Sequence, residues 1–472
     1  MKKLASLALL VCPVLSCLGQ DSPKTEMPRP TPLTRPLLKQ WLESVKERTP
    51  RIPLPELTDE DRQILGEQAD SYEARVRHHY LNGIETPRPL STNTATLPGR
   101  STRDQDPKNS LDYAFKVELF WIVSRVNNCQ YCIGHQESKL LGAGRSEDQI
   151  ASLDGDWSDQ SPERRAAFRF ARKFTYEPQL LGDQDIRELK QYYSDLQILE
   201  MILSMCGNNS INRWKEGIAV PQRKDEGGYS RMATLGSTEA PDPKLPRGSY
   251  LTPTSSHYVN LVSAVVPSAK LGLNAAGLGE TIENRPALET RSAVLEQWNQ
   301  RRSRPARLPL LSLEETQQAI PKSKDSAFGG ENWVRLLANF PTVGSSRFEG
   351  FIAAETGGNL SPKLKAQIAW IVARHDRAWY ASWRAMSQLR SLGVSDEEVF
   401  SLDGDWESFP EREKALFRVA KKLGASPVVL TDEDVATAVS QAGARDTVQA
   451  ISYICSRASF NRMTEAAGLP LD

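Results

Sequence analysis

Hydrophobic and polar positions repeat with the period of an α-helix along most of the chain. The stretch YAFKVELFWIVSRV, residues 113–126, spaces its apolar side chains for a largely buried helix. ERRAAFRFARKF (163–174) and EREKALFRVAKKL (411–423) place arginine and lysine opposite an apolar face, as amphipathic helices do. Strict alternation of apolar and polar residues, the pattern of half-buried strands, is scarce. The sequence therefore predicts an all-α fold.

Capping residues mark two helix starts at equivalent places. Ser146 with Gln149, and Ser395 with Glu398, have the Ser-x-x-Gln/Glu spacing of a capping box. A glycine shortly before each serine is typical of the end of a preceding helix. These places agree because the chain contains an internal repeat. WIVSR recurs as WIVAR, and SLDGDW recurs unchanged, each 249 residues later.

The repeat divides the chain into two tandem helical bundle units. An upstream likeness, between QWLESVKERTPRIPLP (40–55) and QWNQRRSRPARLPLL (297–311), has an offset of 257 residues. We predict a first unit over residues 34–222, an irregular connector rich in Gly, Pro, Ser and Thr over 223–288, and a second unit over 289–472. The two units are expected to pair pseudo-symmetrically, or the chain to form a homo-oligomer.

The N-terminus predicts export from the cytoplasm. In residues 1–19, Lys2 and Lys3 precede an apolar run that is too short to span a membrane and ends near small residues, as in a cleaved export signal. The alternative is a lipoprotein signal, because VLSC places Cys17 behind a small residue, where it would carry the lipid anchor. Outside the cytoplasm, disulfides persist.

Composition excludes several classes of function. With 59 Lys and Arg against 59 Asp and Glu, the chain has no net charge that would favour nucleic acid. It has no Gly-rich nucleotide loop, no Ser/His/Asp order and no His-Glu-x-x-His motif, so no cofactor or metal is predicted.

The candidate chemistry lies in NNCQYCIGHQ, residues 127–136. At the offset of the repeat, its two cysteines and its histidine are replaced in the second copy, although the surrounding helix pattern is retained; the pairs are Cys129 with Ala378, Cys132 with Ala381, and His135 with Arg384. Helix packing therefore does not require these side chains, which indicates chemistry in the first copy. By contrast, Cys206 and Cys455 persist in both copies and are interpreted as small core residues.

Three kinds of site compete for the Cys-x-x-Cys-x-x-His motif. A structural zinc site needs a fourth ligand, which would have to come from His78, His79 or Cys206. A permanent structural disulfide is weakly motivated, because so short a loop restricts the unfolded chain little. A redox-active dithiol is favoured. Asn127 or Asn128 can cap a helix and place Cys129 in its first turn, where the thiol pKa falls.

At these residues the chain resembles the alkylhydroperoxidase AhpD-like or carboxymuconolactone decarboxylase-like family. The resemblance lies in ELFWIVSRVNNCQYCIGH (118–135), in FNRMTEAAGLP (460–470), and in the two helices before the equivalent position of the second copy (336–373). It implies an all-helical unit that often oligomerises and reduces hydroperoxides with a cysteine pair that cycles through a disulfide.

The resemblance also implies roles for four residues. Cys132 matches the thiol that attacks the peroxide, Cys129 the resolving thiol, and His135 with Glu118 the proton relay. This chain has two residues between Cys132 and His135, where the family has three, and Val117 where the family has its glutamate. An unbroken helix would carry Glu118 about 21 Å from Cys132. Glu118 therefore participates only if the chain breaks near Asn127 or a neighbouring unit supplies it; otherwise it is a solvated or salt-bridged carboxylate.

The resulting expectation is an exported, thiol-dependent hydroperoxide reductase. Its partners would be a hydroperoxide substrate and a dithiol reductant that the sequence does not identify. Two alternatives stay open: a non-catalytic exported helical interaction protein, and a thiol–disulfide oxidoreductase that acts on proteins. A low-pKa, peroxide-sensitive thiol would distinguish the redox enzymes from the inert scaffold.

Overall fold

The computed structural model describes residues 28–81, 106, 108–228, 248–275, 277 and 286–472. Over these residues the prediction of an all-α fold is confirmed, because they contain no β-strand; an isolated antiparallel bridge joins Thr34 and Val262. No helix in this part of the chain is long and apolar enough to cross a membrane. The predicted export signal, with Cys17, lies outside the described residues.

Nine α-helices precede the connector. They are α1 (Arg35–Ser44), α2 (Asp59–Leu65), α3 (Tyr72–Leu81), α4 (Tyr113–Val126), α5 (Gln130–Gly142), α6 (Glu147–Ala151), α7 (Pro162–Tyr176), α8 (Asp183–Leu189) and α9 (Asp195–Gly217), counted over the ranges given above. Helix α4 has the bounds of the apolar stretch 113–126, as predicted. The Ser146–Gln149 capping box is present at the start of α6, with both reciprocal hydrogen bonds.

The described part of the connector contains two short helices, and the second half follows. The connector helices are α10 (Ser256–Val259) and α11 (Ser268–Leu271). The second half contains α12 (Arg291–Arg302), α13 (Leu313–Ala319), α14 (Asn332–Leu337), α15 (Pro341–Thr356), α16 (Pro362–Asp376), α17 (Trp379–Ser391), α18 (Asp396–Ser401), α19 (Glu411–Gly424) and α20 (Asp432–Ala467). A kink at Gly443, where φ is 81°, interrupts α20.

Helix starts follow the sequence repeat. Helices α4, α5, α6 and α7 begin 249 residues before α16, α17, α18 and α19, and α9 begins 249 residues before the residue that follows the kink in α20. Helix α4 packs against α5, α7 and α9, and α16 packs against α17, α19 and α20. The repeated sequence thus forms the same run of helices in both halves.

The first half of the chain, which precedes the connector, and the second half, which follows it, share one apolar core. Helix α9 lies against α20, and a single cluster of buried apolar side chains extends through both halves. The helices approach closely at Gly217, where a β-carbon would lie 2.6 Å from Cγ2 of Ile451. Nη2 of Arg213 donates to the carbonyl of Gly424 at 3.0 Å.

A second hydrogen bond joins the positions that lie 249 residues after or before these two, in the opposite direction. Nη2 of Arg462 donates to the carbonyl of Thr175, also at 3.0 Å. Arg462 lies 249 residues after Arg213, and Gly424 lies 249 residues after Thr175. The two hydrogen bonds therefore join equivalent positions of the repeat in opposite directions.

Candidate redox site

The cysteine motif lies at the turn between α4 and α5. Helix α4 ends at Val126, Asn128 has a left-handed backbone with φ of 57°, and Cys129 is the N-cap of α5. The prediction that Asn127 or Asn128 caps this helix, with Cys129 in its first turn, is therefore wrong. The reason is that the Asn127 side chain is bonded to α9, where it donates to the side-chain oxygens of Asn209 and Asn212.

Cys129 and Cys132 form a disulfide with a Cα–Cα distance of 5.2 Å. The backbone N–H of Cys132 donates to Sγ of Cys129 at 3.3 Å, as the amide of a first helical turn does to an N-cap side chain. The other two described cysteines, Cys206 and Cys455, are buried thiols of the apolar core, as expected. Burial raises the pKa of Cys206 to about 11, so this thiol is unreactive at neutral pH.

Both cysteines of the disulfide are buried away from solvent. Cys129 is 0% exposed and Cys132 is 3% exposed. The carbonyl of Pro30 accepts hydrogen bonds from the side-chain amides of Asn128, at 3.0 Å, and Gln130, at 3.2 Å, so the segment before α1 passes beside Cys129. Cys129 is therefore closed to an outside reductant in this structure, because its two neighbours, Asn128 and Gln130, hold this segment against it.

The connector covers α5 between Cys132 and His135. A β-carbon on Gly134 would lie 2.5 Å from the hydroxyl oxygen of Tyr250, so glycine is needed for this close approach. The Tyr250 hydroxyl accepts a hydrogen bond from Nε2 of Gln222 at 2.9 Å. The sequence does not indicate this contact, because nothing local to the connector identifies the surface on which it packs.

His135 lies on α5, one turn after Cys132, with its ring against the ring of Tyr131 at 4.7 Å between centroids. Its Nδ1 atom is buried and has no hydrogen-bond partner among the described residues. Burial, followed by the charges of Lys215 and Lys139, lowers the pKa of His135 to about 3. The imidazole is therefore neutral at physiological pH, and it is a weak base in this disulfide state, because burial and the two lysines disfavour its protonated form.

A lysine and a glutamate lie next to this histidine. Nζ of Lys215 is 4.3 Å from the centroid of the Tyr131 ring and forms an ion pair with Glu73. Burial tends to raise the pKa of Glu73, but Lys215 and Arg77 outweigh it and lower that pKa to about 2. Position 215 is a threonine in the second copy, Thr464, and this difference between the copies is the sequence signal that could have identified it.

We expect His135 to make stability fall as the pH falls below about 6.5. Its pKa is about 3 when folded and near 6.5 when unfolded, so between these values the unfolded chain binds the extra proton. The slope is at most about 1.4 kcal/mol per pH unit. Urea unfolding of the wild type and His135→Asn at pH 7, 5.5 and 4.5 should show a smaller loss in the variant; equal losses would contradict the buried, neutral imidazole.

Glu118 is not brought to the cysteines. Its carboxylate accepts a hydrogen bond from Nε of Arg145 at 3.0 Å and forms a second ion pair with Arg164. It lines a cavity of about 260 Å³ together with Leu140, which lies eight residues after Cys132 on α5, or about 12 Å along the helix axis. The chain does break at Asn127, but the structure gives Glu118 the salt-bridged position.

The charged groups around this cavity belong to the first half alone. At the offset of the repeat, the second half has a neutral or oppositely charged residue at each place; the pairs are Glu118 with Gln367, Arg145 with Val394, and Arg164 with Glu413. Burial raises the pKa of Glu118, and the two guanidinium groups oppose this effect. The set is an ion-pair cluster remote from the sulfurs, and no contact here gives Glu118 access to them.

The histidines considered as further zinc ligands lie in a different group. Ligand atoms of Asp61, His78 and His79 lie within 4.8 Å of one another, and Nε2 of His78 is 2.7 Å from Oδ1 of Asp61. Within the residues described, the groups that could hold a metal do not include Cys129 or Cys132. The zinc interpretation of the cysteine motif therefore receives no fourth ligand from these histidines.

The chain was compared with family models, curated proteins and solved structures. No family model matches the chain. No curated protein matches it. Among the solved structures that it resembles is a cysteine-to-alanine variant of the debrominase Bmp8 in complex with 2,3,4-tribromopyrrole, with 17% identical residues and a TM-score of 0.28, over 39% of this chain and 90% of that one. A likeness of this size supports no argument about fold or activity.

Proposed function

We propose that the chain is an exported, thiol-dependent hydroperoxide reductase that uses Cys129 and Cys132. One observation carries this proposal: the two cysteines are joined as a disulfide beside a neutral histidine in the first half, whereas the second half builds the same pair of helices with Ala378 and Ala381. The helices can therefore form without the cysteines. Export, and lipid attachment at Cys17 as its alternative form, are proposed from the sequence of residues 1–19.

In the proposed reaction, the Cys132 thiol first loses its proton, either to water or to the neighbouring, weakly basic His135. The Cys132 thiolate attacks the terminal oxygen of the hydroperoxide, the O–O bond breaks, and the sulfur becomes a sulfenic acid while the alkoxide takes a proton and leaves as an alcohol. The Cys129 thiolate then attacks the sulfur of Cys132 and expels hydroxide, which leaves as water, so that the disulfide forms. A dithiol reductant returns two electrons and two protons.

The geometry of α5 suits this division of roles. Cys132 is the more exposed cysteine and lies one turn from the proton acceptor His135. Cys129 receives the N–H of Cys132, and an amide donor at a helix N-terminus stabilises a thiolate, which the resolving step requires. Cys132 also has the larger exposed fraction of the two residues, 3% against 0%, so we infer that the reductant attacks its sulfur.

The second candidate is a non-catalytic helical protein in which the disulfide is permanent. The burial of both cysteines, with Pro30 bonded to the residues on either side of Cys129, favours this candidate. The same burial disfavours a thiol–disulfide oxidoreductase acting on folded proteins, because a bulky substrate cannot reach covered sulfurs. A small hydroperoxide has far less of this steric difficulty.

The test is a peroxide assay on the full chain after reduction and removal of excess reductant. We expect the reduced protein to consume about one equivalent of hydrogen peroxide or cumene hydroperoxide, and to turn over when dithiothreitol is supplied. The matched control replaces Cys129 and Cys132 by alanine, as in the natural second half. If the reduced wild type consumes peroxide no faster than this control, the proposed function is wrong and the permanent disulfide remains.

A further inference from the structure

Asn127, the residue between α4 and the cysteine turn, is completely buried and bonded to both halves of the chain. Its Nδ2 donates to the side-chain oxygens of Asn209 and Asn212 of α9, at 2.9 and 3.0 Å. Its Oδ1 accepts from the hydroxyl of Ser426 at 2.7 Å, and its backbone carbonyl accepts from the N–H of Val428 at 3.1 Å. Two of these four bonds come from the segment that follows α19.

Ser426 is itself fixed in place. Its hydroxyl oxygen accepts hydrogen bonds from Nη2 of Arg213, at 2.8 Å, and from Nη2 of Arg462, at 3.0 Å. A serine hydroxyl has one donor and two acceptor sites, so these two guanidinium groups occupy both acceptors. The hydroxyl proton is left for Oδ1 of Asn127, and an equivalent arginine from each half determines its direction.

The equivalent place in the second half carries a charge. Asp376 lies 249 residues after Asn127 and forms a buried ion pair with Arg462, at 2.9 Å, also accepting a hydrogen bond from Asn461. The first half has the neutral amide instead, two residues before Cys129. A carboxylate there would disfavour a nearby thiolate and raise the thiol pKa, because like charges repel.

We propose that the segment 426–428 of the second half is a positioning element for the cysteine pair, acting through Asn127. The two hydrogen bonds from this segment hold Asn127, the residue at which the chain leaves α4 and turns into α5. Because the Asn127 side chain is a neutral amide, it brings no negative charge to the thiols. The properties affected are the reactivity of the Cys129 and Cys132 thiols and the equilibrium between these thiols and their disulfide. This inference rests on the proposed function only in giving the cysteine pair a purpose, so it can be tested without a peroxide.

The first experiment exchanges the two equivalent residues in the full chain. Asn127→Asp should fold, because Asp376 shows that this place accepts a carboxylate facing an arginine. We expect the reduced variant to react with iodoacetamide about threefold more slowly at pH 7, with its alkylation profile moved to higher pH. The matched control, Asp376→Asn, removes the carboxylate from the equivalent place and brings no negative charge to the thiols, so its alkylation profile should not move to higher pH. Equal effects of the two substitutions, or none from Asn127→Asp, would overturn the proposal.

The second experiment removes the hydroxyl. Ser426→Ala should lower the equilibrium constant for forming the disulfide about threefold or more in a dithiothreitol redox buffer, because a less fixed turn brings the thiols together less often. The matched control is Ser382→Ala, which removes a buried hydroxyl that is bonded within the second half, to Trp298 and Trp379. If both variants change the equilibrium equally, the inference fails. A shifted equilibrium in a protein that consumes no peroxide would sink the proposed function and leave the inference intact.

Discussion

Replacing Cys132 by serine should eliminate the fast reaction with hydroperoxide, lowering its rate about 10²-fold or more. Attack requires a thiolate, and Cys132 is the cysteine that lies one turn from the imidazole of His135 on the same helix. Serine keeps the size of the side chain but is a far weaker nucleophile at neutral pH. The measurement is stopped-flow mixing of the reduced full chain with hydrogen peroxide.

The matched variant, Cys129→Ser, should show the opposite behaviour. It retains the attacking thiol, so one oxidation should proceed and then stop at a sulfenic acid on Cys132, which dimedone can trap and mass spectrometry can locate. The reverse outcome has a physical basis in the structure, because the Cys132 N–H bonded to Sγ of Cys129 also stabilises a thiolate there. A sulfenic acid found on Cys129 in Cys132→Ser would therefore assign the attack to Cys129.

Local patterns predicted the helices well. Helix α4 has the bounds of its apolar stretch, and the Ser146 capping box forms as its spacing indicates. At the equivalent place, the Ser395 hydroxyl accepts from the N–H of Glu398 at 3.2 Å. These features depend on residues three or four apart, which a single sequence displays directly. The two copies also differ in an informative way: the helix pattern is retained in the second copy, whereas Cys129, Cys132 and His135 are replaced there. These three side chains are therefore not needed to form the helix.

The surroundings of the cysteines could not be predicted in the same way. Asn127 was expected to act as a local cap, but its partners on α9 and at Ser426 lie 82 to 299 residues away in sequence. The cover over Cys129 and the partners of Glu118 are likewise long-range. Polar side chains adopt whichever hydrogen bonds the tertiary fold makes available, and propensity carries no information about those partners.

Deleting residues 289–472 should leave the first half unable to form a stable monomer. Helix α9 would lose its cover by α20, including the close contact of Gly217 with Ile451 and the hydrogen bond from Sγ of Cys206 to the carbonyl of Ser459. We expect the loss of most of the free energy of unfolding, which is only ~5–15 kcal/mol for a whole domain. The newly exposed apolar face should also cause association.

Light scattering after size exclusion and thermal unfolding followed by circular dichroism would measure this effect. The control supplies residues 289–472 as a separate chain in the same cells, which should restore a soluble complex if the missing surface, and not the cut, is responsible. Arg213 tests the same interface by substitution, because Arg213→Leu removes donors to Gly424 and Ser426 without deleting any residue of the second half. A monomeric first half with the unfolding free energy of the full chain would show that the halves are independent, and the shared core would then contribute nothing to the stability of the cysteine-bearing half.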